Sequence, residues 1–304
     1  MKVVALAGGT GSAKLLRGLA SLRVDLSVVA NVGDNLWAYG AYVCPDVDIA
    51  CYTLAGVADA KKGWGVEGDT FEALKTFAKA GLETWFRLGD RDLAVCLART
   101  EMLRRGCTLT EATERIGTAL GAAFPVFPAS DSPVETRVAT GKGDLHLQEF
   151  WVRDRGRPRV DRVSYRGARS ARPTPQVETA LLGADRVVIC PANPITSVGP
   201  MLAMPGFARL LSRCRARVVA LSPMSGRGPI SGPAGKFMRA MGLRPDSVGV
   251  AGFYARFLDS LLVARADESM RDEISALGVG CAASDTFING PGDEARLAKE
   301  LLEL

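Results

Sequence analysis

The segment Lys2 to Ala7 carries an unbroken apolar run, Val3 to Ala7, that stops at Gly8-Gly9-Thr10-Gly11. Leu15, Leu16, Leu19 and Leu22 then recur at helical spacing. This is the pattern of strand, glycine turn and helix. A second apolar run, Leu26 to Ala30, breaks at Asn31-Val32-Gly33-Asp34-Asn35. The pattern returns late in the chain. Arg186 to Cys190 breaks into Pro191-Ala192-Asn193-Pro194-Ile195-Thr196-Ser197, and Arg217 to Leu221 into a loop that runs through Gly232-Pro233-Ala234-Gly235-Lys236. Val248 to Ala251 and Leu261 to Ala264 read as further strands. Strands apolar throughout are buried on both faces, as in a parallel sheet. In such sheets ligands bind outside the carboxyl ends of the strands, so four polar loops there predict one cleft built from both ends of the chain.

The middle differs. Residues 70–120 carry helical spacing (Phe71, Leu74, Phe77, Ala78), and Leu145 to Val152 alternates like a strand. An arginine-rich stretch from Arg153 to Arg172 follows and reads as a solvated face. The expected architecture is therefore one α/β domain over 1–304, with a Rossmann-like, mostly parallel sheet and helices on both faces. Its core comes from 1–60 and 180–304, and a largely helical insertion with a β excursion fills 61–179.

Composition narrows the function classes. With 47% hydrophobic and 23% charged residues the chain is ordinary globular protein. A net charge of +5 suits small anionic substrates as well as it suits nucleic acid, so nucleic-acid binding is not expected. Seven scattered cysteines, with no C-x-x-C pair, read as buried thiols in a reducing, cytoplasmic setting. No apolar run is long enough to span a membrane.

The glycine loop is the first chemical candidate. Backbone N–H groups of a Gly-x-Gly turn approach a phosphate closely, and a helix N-terminus favours negative charge. Gly9, Thr10, Gly11 and Lys14 are the candidate contacts. It is not a Walker A motif, because Leu15 follows Lys14 where Ser or Thr is needed. Lys14 at the third glycine position and Asn31 after the second strand disfavour a dinucleotide-dependent oxidoreductase. Asp34, Asp46 and Asp48 form the acidic group. In an extended segment Asp46 and Asp48 point the same way and suit a shared Mg²⁺; the alternative is that one caps a helix beginning near Ile49. Arg87 and Arg91, in Phe86-Arg87-Leu88-Gly89-Asp90-Arg91-Asp92, match phosphate geometry but fit a solvated turn equally well. His146 is the single histidine, which disfavours a multi-histidine metal site, and Ser225 and Ser231 lack a histidine companion.

Together these segments resemble the 2-phospho-L-lactate transferases, which make the deazaflavin coenzyme F-420. The resemblance rests on Gly8-Gly9-Thr10-Gly11-x-x-Lys14-Leu15-Leu16, Asn31-x-Gly33-Asp34-x-x-Trp37, Pro45-Asp46-x-Asp48 and Leu88-Gly89-Asp90-Arg91-Asp92. Ser130-Asp131-x-Pro133-Val134, Asn193-Pro194-Ile195-Thr196-Ser197-x-Gly199-Pro200 and Ser231-Gly232-Pro233-Ala234-Gly235-Lys236 complete it. It implies that the ribityl hydroxyl of Fo attacks the phosphorus of a guanylyl-activated three-carbon acid, of lactyl or enolpyruvyl type, and releases GMP. It implies Mg²⁺ as cofactor, held by Asp48 with Asp46, and catalysis by Asp48, Asp34 and Arg87. Asp48 and Arg87 would adjoin Fo. Gly9, Thr10, Gly11, Lys14, Asn193, Ser197, Gly232, Gly235 and Lys236 would line the guanosine diphosphate. Under this reading Asp48→Ala ends GMP release and leaves the fold intact. Asn35 and Cys96 stand where the family pattern leads one to expect Asp and His. A nucleotide-sugar-binding regulator of the gluconeogenesis-factor type is the alternative, and a homodimer is compatible with the apolar residues of the middle region.

Overall fold

The computed structural model describes residues 1–226, 228–230 and 232–304. Seven parallel strands form the central sheet. They are β1 (Lys2–Ala7), β2 (Asp25–Ala30), β3 (Val126–Pro128), β4 (Arg186–Ile189), β5 (Arg217–Leu221), β6 (Ser260–Ala264) and β7 (Gly280–Ser284), in the order β7-β6-β5-β4-β1-β2-β3. Consecutive residues of β1 are buried from Val3 to Ala7, so both faces of the sheet are covered. Helix α1 (Gly11–Ala20) packs on the C-terminal helix Pro291–Glu303, and Arg17 pairs with Glu294 across that contact. Strand order reverses between β1 and β4, which puts the topological switch point there. The expected doubly wound α/β fold is present.

Two expectations about elements are corrected. Val248 to Ala251 lies inside a helix, Ser247–Tyr254, whose N-terminus is capped by Asp246 through Gly249 N–H at 2.9 Å. A helix apolar all round has no face to betray its period, so its short apolar run imitates a buried strand. The segment 61–179 is also not a pure insertion, since it contains β3, which pairs with β2 at the sheet edge. Helices α2 (Pro45–Leu54), α3 (Glu72–Lys79), α4 (Asp90–Arg104) and α5 (Leu109–Leu120) lie between β2 and β3. A small antiparallel sheet of residues 135–140, 143–146 and 162–166 lies between β3 and helix α6 (Pro175–Gly183). Only part of the Leu145-to-Val152 stretch is strand; Glu149–Arg153 is a π-helical turn.

Candidate functional site

The loops after β1 and β4 meet at the switch point. A Cβ on Gly8 would lie 2.5 Å from the Ser197 Cβ, and one on Gly11 would lie 2.6 Å from the Pro191 carbonyl. These glycines are therefore required by packing between two loops far apart in sequence. Gly9 turns left-handed, at φ 67°, beside the Ser197 hydroxyl. Gly8→Ala should force the loops apart and cost about 1–3 kcal/mol. Thermal unfolding checks this.

The loop is open where an anion would enter. Thr10 is exposed, Gly9 and Gly11 are half-buried, and no side chain caps the start of α1. Asn193 accepts from Ile195 N–H at 3.0 Å and Thr196 N–H at 3.4 Å, which folds the Pro194–Val198 turn and sets Ser197 against the glycines. Asn193 thus shapes the wall of the cleft.

Asn31 links three loops. Its amide nitrogen faces Asp46 at 2.9 Å, Asp34 at 3.0 Å and the Thr196 carbonyl at 3.3 Å. Asp46 also accepts from Gly9 N–H at 2.7 Å, and Asp34 from the Gln148 amide at 3.3 Å. Both acids are buried, and neither has an ion-pair partner among the described residues. Burial is the main cause that pushes the Asp46 carboxyl up to about 6 and Asp34 well above the carboxylate range, with Asp46's charge adding to the latter.

Asp48 belongs to a different cluster. The expected extended segment is helical from Pro45, a residue suited to the first helical position, so Asp46 and Asp48 project in different directions. Their expected shared face is corrected accordingly. Asp46 turns to the glycine loop, while Asp48 forms a fully buried ion pair with Arg99. Arg99 also donates to the Tyr42 carbonyl at 3.2 Å. Asp92 and Cys96 complete this group, and Tyr52 donates to Asp92 at 2.7 Å. Burial, then the charge of Asp48, pushes Asp92 up to about 7. Asp92, Cys96 and Arg99 follow one face of α4.

The remaining candidates are more dispersed. Arg87 is exposed and stacks over Phe71 with its guanidinium 4.8 Å from the ring centre. One acid of its motif, Asp90, is a cap, as is Asp69 upstream of it. Asp90 accepts from Glu72 and Ala73 N–H at the start of α3, and Asp69 from Arg91 and Asp92 N–H at the start of α4. Lys14 donates to the Ile288 carbonyl at 2.9 Å. Lys236 donates to the Gly156 and Pro158 carbonyls at 2.6 and 3.2 Å, so its ammonium is turned to the middle region. Its helix, Ala234–Ala240, nonetheless packs on the Pro194–Val198 turn. Gly235 is buried near Pro245, and Gly232 is exposed at φ 69°. Ser231 lies outside the described residues.

Asp131 accepts from the Thr110 N–H and hydroxyl, a local structural role. His146 is held neutral by burial, and its ring accepts from Gln148 N–H and donates to the Asn35 carbonyl. Sequence reasoning missed Gln148 and Arg99. Two surface clefts, of about 490 and 650 Å³, lie beside Lys2 and Gln176 and among Arg153, Arg155 and Arg157, and neither is lined by these loops.

Comparison with known proteins agrees with the geometry. The family model described as 2-phospho-L-lactate transferase CofD matches residues 3–282. A 2-phospho-L-lactate transferase of Methanosarcina acetivorans is 40% identical, covering 99% of this chain and 98% of its own. One from Methanopyrus kandleri is 40% identical over 100% and 97%. A phosphoenolpyruvate transferase of Streptomyces griseus is 37% identical over 100% and 98%. Among solved structures, a UPF0052-family protein of Bacillus halodurans shares the fold at TM-score 0.66 and 19% identity, covering 99% of both chains. No helix among the described residues is long and apolar enough to cross a membrane. The chain belongs to the 2-phospho-L-lactate transferase family, and it is an enzyme of that kind.

Proposed function

We propose that the enzyme moves a three-carbon phospho-acid group from its guanosine-diphospho donor to the ribityl hydroxyl of Fo, releasing GMP. The observation that carries this reading is the Asp46 carboxylate bonded to Gly9 N–H, inside a loop built to receive phosphate. A buried carboxylate and an anionic ligand on one loop repel each other unless a cation lies between them. Asp34 and Asp46 offer hard oxygen donors with uncompensated charge, a set that fits Mg²⁺. The Asp48 cluster fits it poorly, because Arg99 already balances Asp48 and its third member is a thiol. Asp46 and Asp34 are therefore the residues proposed to hold the ion, in place of the Asp48–Asp46 pair. Bound there, Mg²⁺ would neutralise charge on the transferring phosphate.

Phosphoryl transfer asks for neutralised charge and alignment more than for a covalent nucleophile. The buried thiols suit that division, since burial raises Cys44, Cys51 and Cys190 to about 12 and keeps them protonated. Gly9, Thr10, Gly11 and Ser197 form the wall against the donor's diphosphate. Gly232, Gly235 and the helix of Lys236 flank the guanosine. Arg87, and Asp48 through its pairing with Arg99, serve the acceptor side. The ribityl oxygen forms its bond to the phosphorus bearing the acid as that phosphorus's bond to the bridging oxygen of GMP breaks, and the hydroxyl proton passes to the departing GMP phosphate or to solvent.

The decisive experiment incubates the protein with Fo, Mg²⁺ and, in separate tubes, the lactyl- and enolpyruvyl-diphosphoguanosine donors, and weighs the product. A mass increase of Fo by the phospho-acid, with equimolar GMP, is expected with one donor at least. No product from either, with nucleotide binding intact, would overturn Fo and these donors as the substrates. Arg87→Ala is expected to weaken Fo binding about tenfold and leave GDP binding unchanged. Equal losses in parallel titrations would remove Arg87 from the acceptor side.

A further inference from the structure

Among the described residues Trp37 is the most exposed large hydrophobic side chain, at 65%, and it is the one residue of the Asn31-x-Gly33-Asp34-x-x-Trp37 motif whose side chain has no role in the acidic cluster. It lies on a hairpin, Leu36–Ala38 paired with Ala41–Val43, that joins Asn35 to Cys44. The hairpin therefore connects the loop of Asp34 to the helix of Asp46 and Asp48. Alternation divides its two faces. Leu36, Ala38, Ala41 and Val43 pack into a small core with Leu88, Leu93 and Cys96. Trp37 and its cross-strand partner Tyr42 occupy the other face, with ring centres 5.1 Å apart. Tyr42 receives the Asn35 amide at 3.3 Å, so this is the face toward the acidic loop.

The backbone beneath Trp37 is held rigid. The turn uses Tyr39 and Gly40 at φ 53° and 77°, which matches the sign required in a two-residue hairpin but strains a tyrosine. Two contacts fix it. Tyr39 stacks on Phe77 at 5.2 Å and donates to the Phe86 carbonyl at 2.7 Å, one residue from Arg87. An exposed indole on the strand that enters this anchored turn, directly after the loop of Asp34, is a preorganised aromatic surface.

We propose that Trp37 is the stacking surface for the flat fused-ring heterocycle of the acceptor, with the polyol tail running toward the acids. This rests on the transferase reading. The test titrates Fo and GDP against the unaltered protein, Trp37→Phe and Trp37→Ala, with steady-state kinetics alongside. Trp37→Ala is expected to weaken Fo binding about tenfold or more, raise the acceptor KM and leave kcat and GDP affinity near their starting values. Trp37→Phe should restore most of the loss, because a smaller aromatic face still stacks. Unchanged Fo affinity in Trp37→Ala would overturn the assignment and leave the transferase reading standing. An equal loss of GDP affinity would overturn it as a folding effect. A change of oligomeric state with unchanged Fo affinity would make Trp37 a subunit contact instead. If the unaltered protein binds GDP but no Fo, the Fo-acceptor reading falls and this assignment with it.

Discussion

Asp34→Asn should make the metal-free protein more stable at pH 7 and above while removing its Mg²⁺-dependent turnover. Asp34 and Asp46 are buried, share the amide of Asn31 and have no cationic side chain bonded to them. Their folded-state pKa values are raised, so the native protein holds protons that the unfolded chain releases. Stability from this source is complete below the unfolded carboxylate range and is lost as pH rises through the folded values, about 6 for Asp46. For Asp46 the loss is on the order of 3 kcal/mol. Asn at 34 removes one charge from the pair. It also keeps its hydrogen bonds, because Gln148 can rotate its amide to present oxygen in place of nitrogen. Asp46→Asn is the poorer probe, since a new NH₂ there must face either Gly9 N–H or the Asn31 amide.

The expected record is a rise of several degrees in Tm for Asp34→Asn at pH 7.5 without metal, shrinking toward pH 4. Added Mg²⁺ should raise the Tm of the unaltered protein at pH 7.5, less so at pH 5, and the variant hardly at all. A lower Tm for the metal-free variant, or an undiminished Mg²⁺ response, would sink the cation assignment.

What the sequence revealed and what it hid have physical causes. Strands β1, β2, β4 and β5 were legible because each is a run buried on both faces and ended by a polar loop. Their convergence was expected from sheet topology, and the close approaches of Gly8 to Ser197 and of Gly11 to Pro191 show it for the loops after β1 and β4. Strand β3 was hidden because three residues ending in Pro128 carry no period. The relation between Asp46 and Asp48 turns on one backbone feature. Pro45 was a sign of helix start, and a helical step separates residues two apart by about 200°, whereas a strand aligns them. Arg99 and Gln148 lay beyond any local signal. An arginine within the charged helix α4 resembles a solvated residue until tertiary packing sets Asp48 beside it, and Gln148 reaches Asp34 across 114 residues.

That buried pair changes the expectation for Asp48. With Asp48 as an accessible metal ligand, Asp48→Ala would spare the fold. With Arg99 fully buried against it, the same change strands a guanidinium whose Nε already lacks a partner among the described residues. Removing one member of a buried ion pair costs about 3–5 kcal/mol, because the remaining charge has neither water nor counter-ion. Asp48→Ala should therefore lower the urea midpoint sharply, and Arg99→Met should do so too, leaving Asp48 beside Asp92. The double variant should recover at least half of the lost stability, since an apolar pair of similar volume needs no compensation. It should recover no turnover, because the acceptor side then lacks its carboxylate. Urea unfolding of the two single variants and the double variant, together with product assays, checks both halves. Additive losses would show that the pair does not act as a unit. Restored turnover in the double variant would remove Asp48 from the reaction and leave it a structural partner of Arg99 alone.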